Sequence, residues 1–392
     1  MTSSPNPVPS SPVAVEARAA AFASGGRLPG LDVLRGLAIV LVLFHNLDIA
    51  ENTRSVVLKL WNLLPESGWI GVQIFFVLSG FLITGILFDD KSRPRFYRTF
   101  YLRRALRIFP LYYALLVIYG LLRVAGVLHF SITPLGVFSY VAYLQNWSAL
   151  VLGTPPGFGH LWSLAVEEQF YLLWPLLIAR TSLRGSAVAC VVIIAASFVG
   201  RVLMHATHLD PGWLYASTAA RADALAVGAL LALLLRSPAA RPRLIRALPW
   251  AGAASALALA ALLLHTHGLN RVNPLMQVYG YTIIAVLAGM ATVRAALQAP
   301  RAPGRSGGRI LTRVLMFFGK YSYGIYVVHM PIKVAALTLL AGALQRQSAL
   351  HPFSVDLIFV AAGTMASVAL ALVSWRFIER PFLSLKDRIA AR

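Results

Sequence analysis

Apolar runs of about 18 residues or more recur along nearly the whole chain, broken only by short polar connections. As a helix, such a run crosses the ~30 Å hydrocarbon core of a bilayer and satisfies its own backbone polar groups in lipid. The 392 residues are enough for two or three soluble domains, but only 12% are charged and 58% are hydrophobic. A soluble domain carries roughly twice that charged fraction. Ten spans are expected, near 31–50, 69–88, 108–128, 161–179, 186–203, 217–235, 248–264, 275–297, 322–344 and 355–377. A shorter apolar stretch, 132–146, suits a re-entrant or interfacial helix. The expected fold class is all-α, a polytopic integral membrane protein of about ten transmembrane helices.

The net charge of +21 has a cause in topology. Lys91, Arg93, Arg95, Arg98, Arg103, Arg104 and Arg107 crowd the approach to the third span. Arg180 and Arg184 follow the fourth, and Arg236, Arg241, Arg243 and Arg246 follow the sixth. Arg301, Arg305, Arg309 and Arg313 follow the eighth. The intervening connections carry few basic residues: Arg54 and Lys59, then Arg271, then Arg346. Basic loops on every second connection follow the positive-inside rule, which places both termini in the cytoplasm of a multi-pass cell-membrane protein. The bilayer is thus the expected partner of this charge, and no nucleic acid is expected. Residues 1–26 read as a flexible cytoplasmic tail, 27–385 as one membrane domain and 386–392 as a second short cytoplasmic tail. Cys190, the single cysteine, has no partner for an intrachain disulfide.

Ionisable residues inside apolar helices are costly and mark candidate sites. Asp32 and Arg35 stand one turn apart at the start of the first span, where they pair on one face or anchor the helix at the interface. His45 lies about 15 Å further along the axis, in the half of the membrane away from the basic loops. Glu167 and Glu168 enter with the fourth span from that same side, and a carboxylate that orients an imidazole makes it a useful base. The plain reading is a Glu–Arg pair between helices, with Arg221, beside Asp223, as the partner. Arg103 and Arg107 form an i,i+4 pair at the membrane face, suited to a polyphosphate and equally to anionic lipid headgroups. His205, His208 and Asp210 have ligand-like spacing in an ordinary loop, and no metal is expected. Gly71, Gly80 and Gly85 in the second span point to close helix packing.

Seven segments in order resemble the acyltransferase-3 family of membrane-bound O-acyltransferases. They are LDVLRGLAIVLVLFH (31–45), GVQIFFVLSGFLIT (71–84), FYLRRALRIFPLYY (100–113), LWSLAVEEQFYLLWP (161–175), RADALAVGALLA (221–232), FGKYSYGIYVVHMP (318–331) and ERPF (379–382). The resemblance implies ten or so helices and transfer of an acyl group, most often acetyl, from acyl-CoA to a hydroxyl. The acceptor would be a carbohydrate, a lipid or a glycoside. It also implies site roles for Arg35 and His45 of the first helix, although the nine residues between them are one fewer than the family's usual ten. Many members append a soluble esterase-like domain; a stand-alone membrane domain is expected here.

On that resemblance His45 is the expected general base, with Glu167 or Glu168 orienting it. Arg35, Arg103, Arg104 and Arg107 are the expected acyl-CoA contacts. Asp32, Arg221, Asp223, Tyr323 and His329 are expected at the substrate. The competing class is a transporter or flippase of an anionic or glycosylated substrate, which would consume no acyl-CoA.

Overall fold

The structure, a computed structural model, describes residues 28–48, 65–297, 308–346 and 352–390. The 1–26 tail and Arg54, Lys59, Arg301 and Arg305 lie outside the described residues, and of 386–392 only the backbone to Ala390 is described. The described residues form helices and no strand, which bears out the all-α expectation. In chain order the helices are α1 (Pro29–Leu47), α2 (Ile70–Asp90), α3 (Phe96–Val124), α4 (Pro134–Val141) and α5 (Gln145–Leu152). Then come α6 (Trp162–Arg180), α7 (Leu183–Ala206), α8 (Pro211–Ala216), α9 (Thr218–Arg236) and α10 (Arg241–Thr266). A π-turn (Met276–Gly280) leads into α11 (Tyr281–Leu297), followed by α12 (Gly308–Arg346) and α13 (Pro352–Ser374). A second π-turn (Trp375–Glu379) joins α13 to α14 (Arg380–Ala390).

A long helix stands at each of the ten expected spans, but by length and composition only eight among the described residues are apolar enough to cross a membrane. The two outside that count are α6, diluted by Glu167, Glu168 and Gln169, and α12, which carries Arg313, Lys320 and Lys333. Helix α6 carries its polar residues into the protein interior, where lipid hydropathy is not the relevant measure, whereas Arg313 and Lys320 of α12 are exposed. The stretch at 132–146 becomes the short helix α4 and the first two residues of α5.

Helices α2 and α9 form the buried centre. They meet through glycines: a Cβ on Gly80 would collide with the Leu225 carbonyl oxygen, and one on Gly228 with that of Val77. The α1–α12 contact repeats the device, because Gly36 abuts the Leu315 carbonyl and Gly319 that of Asp32. Small residues let helix backbones approach where lipid provides no hydrophobic drive for association. The expectation of close packing at Gly71 and Gly80 holds, with Gly71 against the Ala38 carbonyl. Helix α10 sits at the other extreme, apolar all round with no buried residue, as suits a lipid-facing element.

Candidate active site

Two cavities open at opposite ends of the bundle, and α1 supplies both. Its first half carries Asp32 and Arg35 into a cavity of about 1190 Å³ at the end that bears the basic α2–α3 connection. Its last turn carries His45 and Asn46 into a cavity of about 320 Å³ at the other end. Val72 and Tyr326 line both, and so form the wall between them. The Tyr326 hydroxyl donates to the His160 carbonyl at 2.9 Å and shares a 2.5 Å hydrogen bond with the Ser163 hydroxyl.

The larger cavity is cationic. Arg103, Arg104 and Arg107 reach it from α3 and Arg35 from α1, against Asp32 and Glu167. Arg35 Nη1 lies 3.3 Å from Asp32 Oδ1, the pairing expected of that one-turn spacing. Arg103 is only 3.9 Å from Asp90, a loose contact that leaves its donors available for a ligand. Arg104 stacks 5.3 Å over the ring of Tyr171, a cation–π arrangement that holds a desolvated guanidinium. At the mouth Arg236 grips Asp89 through two contacts, Nε to Oδ1 at 2.7 Å and Nη2 to Oδ2 at 2.5 Å. Clustered guanidiniums with few acidic partners suit a ligand rich in phosphate oxygens, which they bind bidentately.

The smaller cavity centres on His45. Its Nδ1 donates to the Pro65 carbonyl at 2.6 Å, which leaves the Nε2 lone pair directed away from that bond. Nε2 accepts a hydrogen bond from Arg271 Nη1 at 3.2 Å. Beside it, Asn46 Nδ2 donates to His329 Nε2 at 3.0 Å, and His329 Nδ1 donates to the Tyr326 carbonyl at 2.6 Å. His329 is fully buried.

Several sequence expectations need correcting. The pairing of His45 with Glu167 or Glu168 is not found. Glu167 lines the cationic cavity, accepts a hydrogen bond from Ser79 and lies within electrostatic reach of Arg104, Arg35 and Arg107. The depth argument failed because the segment before α6 is itself inside the bundle. Phe158, His160 and Leu161 are all buried, so α6 starts deep and delivers Glu167 to the far cavity. Glu168, one residue on, turns toward Tyr112, Tyr113, Tyr143 and Tyr323 and lines neither cavity. The role of orienting His45 falls to the backbone carbonyl of Pro65.

Arg221 and Asp223 also line neither cavity. Arg221 donates to Gln73 at 2.7 Å and stacks 4.0 Å over Tyr281. Asp223 pairs at 2.9 Å with Arg201, and both side chains are fully buried. Arg201 was missed, although an arginine inside the fifth apolar run was signal enough. Tyr323 lines the cationic cavity, where its hydroxyl donates to the Ile108 carbonyl at 2.5 Å. Sequence reasoning also passed over Asn46, His160, Arg271 and Tyr326, which no spacing rule brings together. The candidate cluster at His205, His208 and Asp210 is put to structural use, Asp210 capping α8 by accepting from Gly212 N at 2.7 Å. Among the described residues no group of three or more ligand-type side chains gathers.

Two curated relatives are each 29% identical across 90% of this chain. One, from Bacillus subtilis, is provisionally named a peptidoglycan O-acetyltransferase, and 54% of its length is covered. The other is the peptidoglycan O-acetyltransferase OatA of Listeria monocytogenes, 55% covered. A provisionally named O-acetyltransferase of Staphylococcus aureus is 25% identical over 91% of this chain and 57% of its own. The chain thus spans about half the length of these relatives. No solved structure matches it. The profile of the family described as Acyltransferase domain matches residues 28–376, so the chain belongs to the acyltransferase-3 family.

Proposed function

We propose that this protein is a membrane O-acyltransferase that moves an acetyl group from acetyl-CoA to a hydroxyl on a carbohydrate acceptor. The observation that carries the reading is the division of labour along α1: a cationic cavity at Arg35 and a histidine-centred cavity at His45, separated by the Val72–Tyr326 wall. Arg35, Arg103, Arg104 and Arg107 hold the donor's phosphates, and Glu167 with Asp32 keeps the guanidiniums apart and aligned. A cavity of about 1190 Å³ exceeds the range typical of small-molecule sites, as a ligand of that bulk requires. The basic loops support a donor end in the cytoplasm of the cell, with both termini on that side. Relatives named for peptidoglycan O-acetylation support a surface glycan as the acceptor.

His45 acts as the general base. The Pro65 carbonyl fixes the tautomer with the proton on Nδ1, and Nε2 takes the proton of the acceptor hydroxyl. The hydroxyl oxygen bonds to the thioester carbonyl carbon, the C–S bond breaks, and the sulfur leaves with the proton that His45 releases. Arg271 Nη1, which donates to Nε2 at 3.2 Å, gives up that bond to the acceptor hydroxyl and turns to stabilise the oxyanion formed in between. Tyr326 and Val72 must move aside for the thioester to meet the acceptor.

The deciding experiment uses purified protein in lipid nanodiscs with radiolabelled acetyl-CoA, scoring release of free CoA and label on added glycan. Acetyl-CoA consumption coupled to glycan labelling is expected. A transporter or flippase would show neither.

A further inference from the structure

One side chain in the His45 cavity is used by neither the donor site nor the base. His160 is only 5% exposed and lines that cavity, its ring edge-on to His329 with centroids 4.7 Å apart. The carbonyls of Gly157, Tyr326 and Val327 surround it, yet neither ring nitrogen completes a hydrogen bond with them. Gln145 lines the same cavity at 1% exposure. Its Nε2 donates to the Leu161 carbonyl at 2.8 Å, while its Oε1 accepts from nothing among the described residues. Buried polar atoms left unpaired are rare in folded proteins and call for a ligand, a water or a catalytic role.

The chemistry of the cavity narrows the ligand. A neutral imidazole offers one donor and one acceptor, and a carboxamide oxygen offers acceptor capacity, the pattern that reads hydroxyl groups. Aromatic surface comes from Trp162 and Tyr215, whose rings are 4.8 Å apart, with Arg271 stacked 4.8 Å from the Tyr215 ring. A few polar groups on an aromatic wall is the composition of a ligand pocket, and about 320 Å³ is the small end of the range for one. That volume suits one ring rather than a chain of them.

We propose that this cavity is the acceptor subsite for a single pyranose unit, and that His160 and Gln145 bind its hydroxyls while the hydroxyl to be acylated meets His45 Nε2. This rests on the acyl-transfer reading above and adds the size of the acceptor unit held and the residues that recognise it. Neither residue moves a proton in the reaction; both hold the ring in register with His45.

The test uses the full-length protein in nanodiscs, with chitobiose and methyl glucoside as sugar probes. Saturation-transfer NMR reads sugar binding without any donor present, and steady-state transfer from acetyl-CoA reads KM and kcat. Wild-type protein is expected to bind a probe. His160→Ala and Gln145→Ala each weaken that binding about tenfold, the loss expected of one hydrogen bond. The sugar KM rises in step, while kcat and acetyl-CoA affinity stay within about threefold. His160→Gln regains part of the loss, because a carboxamide also supplies a donor and an acceptor.

The proposal is overturned if wild-type protein binds neither probe, or if His160→Ala leaves sugar affinity unchanged. It is equally overturned if His160→Ala lowers donor affinity, sugar affinity and unfolding temperature together, the mark of a packing residue. Sugar binding without any acetyl transfer would leave the subsite standing and sink the acyltransferase reading. Transfer to a hydroxyl compound without sugar binding would do the reverse.

Discussion

Replacing His45 with glutamine separates base catalysis from packing more cleanly than alanine does. Glutamine nearly matches the imidazole in bulk and retains an N–H for the Pro65 carbonyl, which His45 Nδ1 now reaches at 2.6 Å. What it lacks is a basic lone pair at the Nε2 position beside Arg271. General-base catalysis contributes about 10²- to 10⁴-fold, so kcat is expected to fall by that factor, about 3–5 kcal/mol of transition-state stabilisation. His45→Ala should fall equally far, because the missing base is common to both. The assay is transfer of radiolabelled acetyl from acetyl-CoA to glycan by purified protein in nanodiscs, with acetyl-CoA affinity measured in parallel. That affinity should change little, because the cavity proposed for the donor lies at the other end of α1. If His45→Gln keeps more than about a tenth of the wild-type kcat, proton removal by His45 is not what limits the reaction, and the base assignment is refuted.

Other expectations concern the donor site and the scaffold. Arg104→Ala and Arg107→Ala should each raise the KM for acetyl-CoA about tenfold to a hundredfold, the range for a lost charge-assisted hydrogen bond, with kcat less affected. Unchanged donor affinity in both variants would remove the phosphate assignment. Asp223→Ala leaves Arg201 buried without its partner and should cost about 3–5 kcal/mol, read as a lower unfolding temperature in detergent. The pair Arg201→Met with Asp223→Leu should recover most of that loss, since the charge of Arg201 is removed together with that of its partner. Gly228→Leu drives a side chain into the Val77 carbonyl and should abolish the monodisperse folded peak in size-exclusion chromatography, whereas Gly252→Leu, on lipid-facing α10 with open space around it, should not.

Membrane insertion, helix positions and the charged residues worth testing were all legible in the linear chain, because they depend on local composition. An apolar run of sufficient length is a helix in lipid whatever its neighbours are, and a cation inside it is conspicuous without any structure. Arg35, Arg103, Arg104 and Arg107 fall at one end of their helices, so topology puts them at one membrane face, but their sharing of one cavity is set by packing. The error at Glu167 came from counting depth along α6 as though the helix began at the membrane surface. The buried segment at Phe158–Leu161 shifts that origin, and nothing in its composition announces the shift.

What the chain alone determined, then, was the class of protein, the family and the two ends of α1 at which chemistry is possible. The tertiary structure decided which side chains share a cavity: Glu167 with the guanidiniums, and His45 with Pro65, Arg271 and His160. It also assigned Asp223 to Arg201. Those pairings join residues from different elements, and they depend on the rotation and depth of each helix, which close contacts such as Gly80 on Leu225 and Gly36 on Leu315 fix for the central helices. Hydropathy constrains neither, since an apolar helix is equally stable in lipid at any rotation until another helix packs against it.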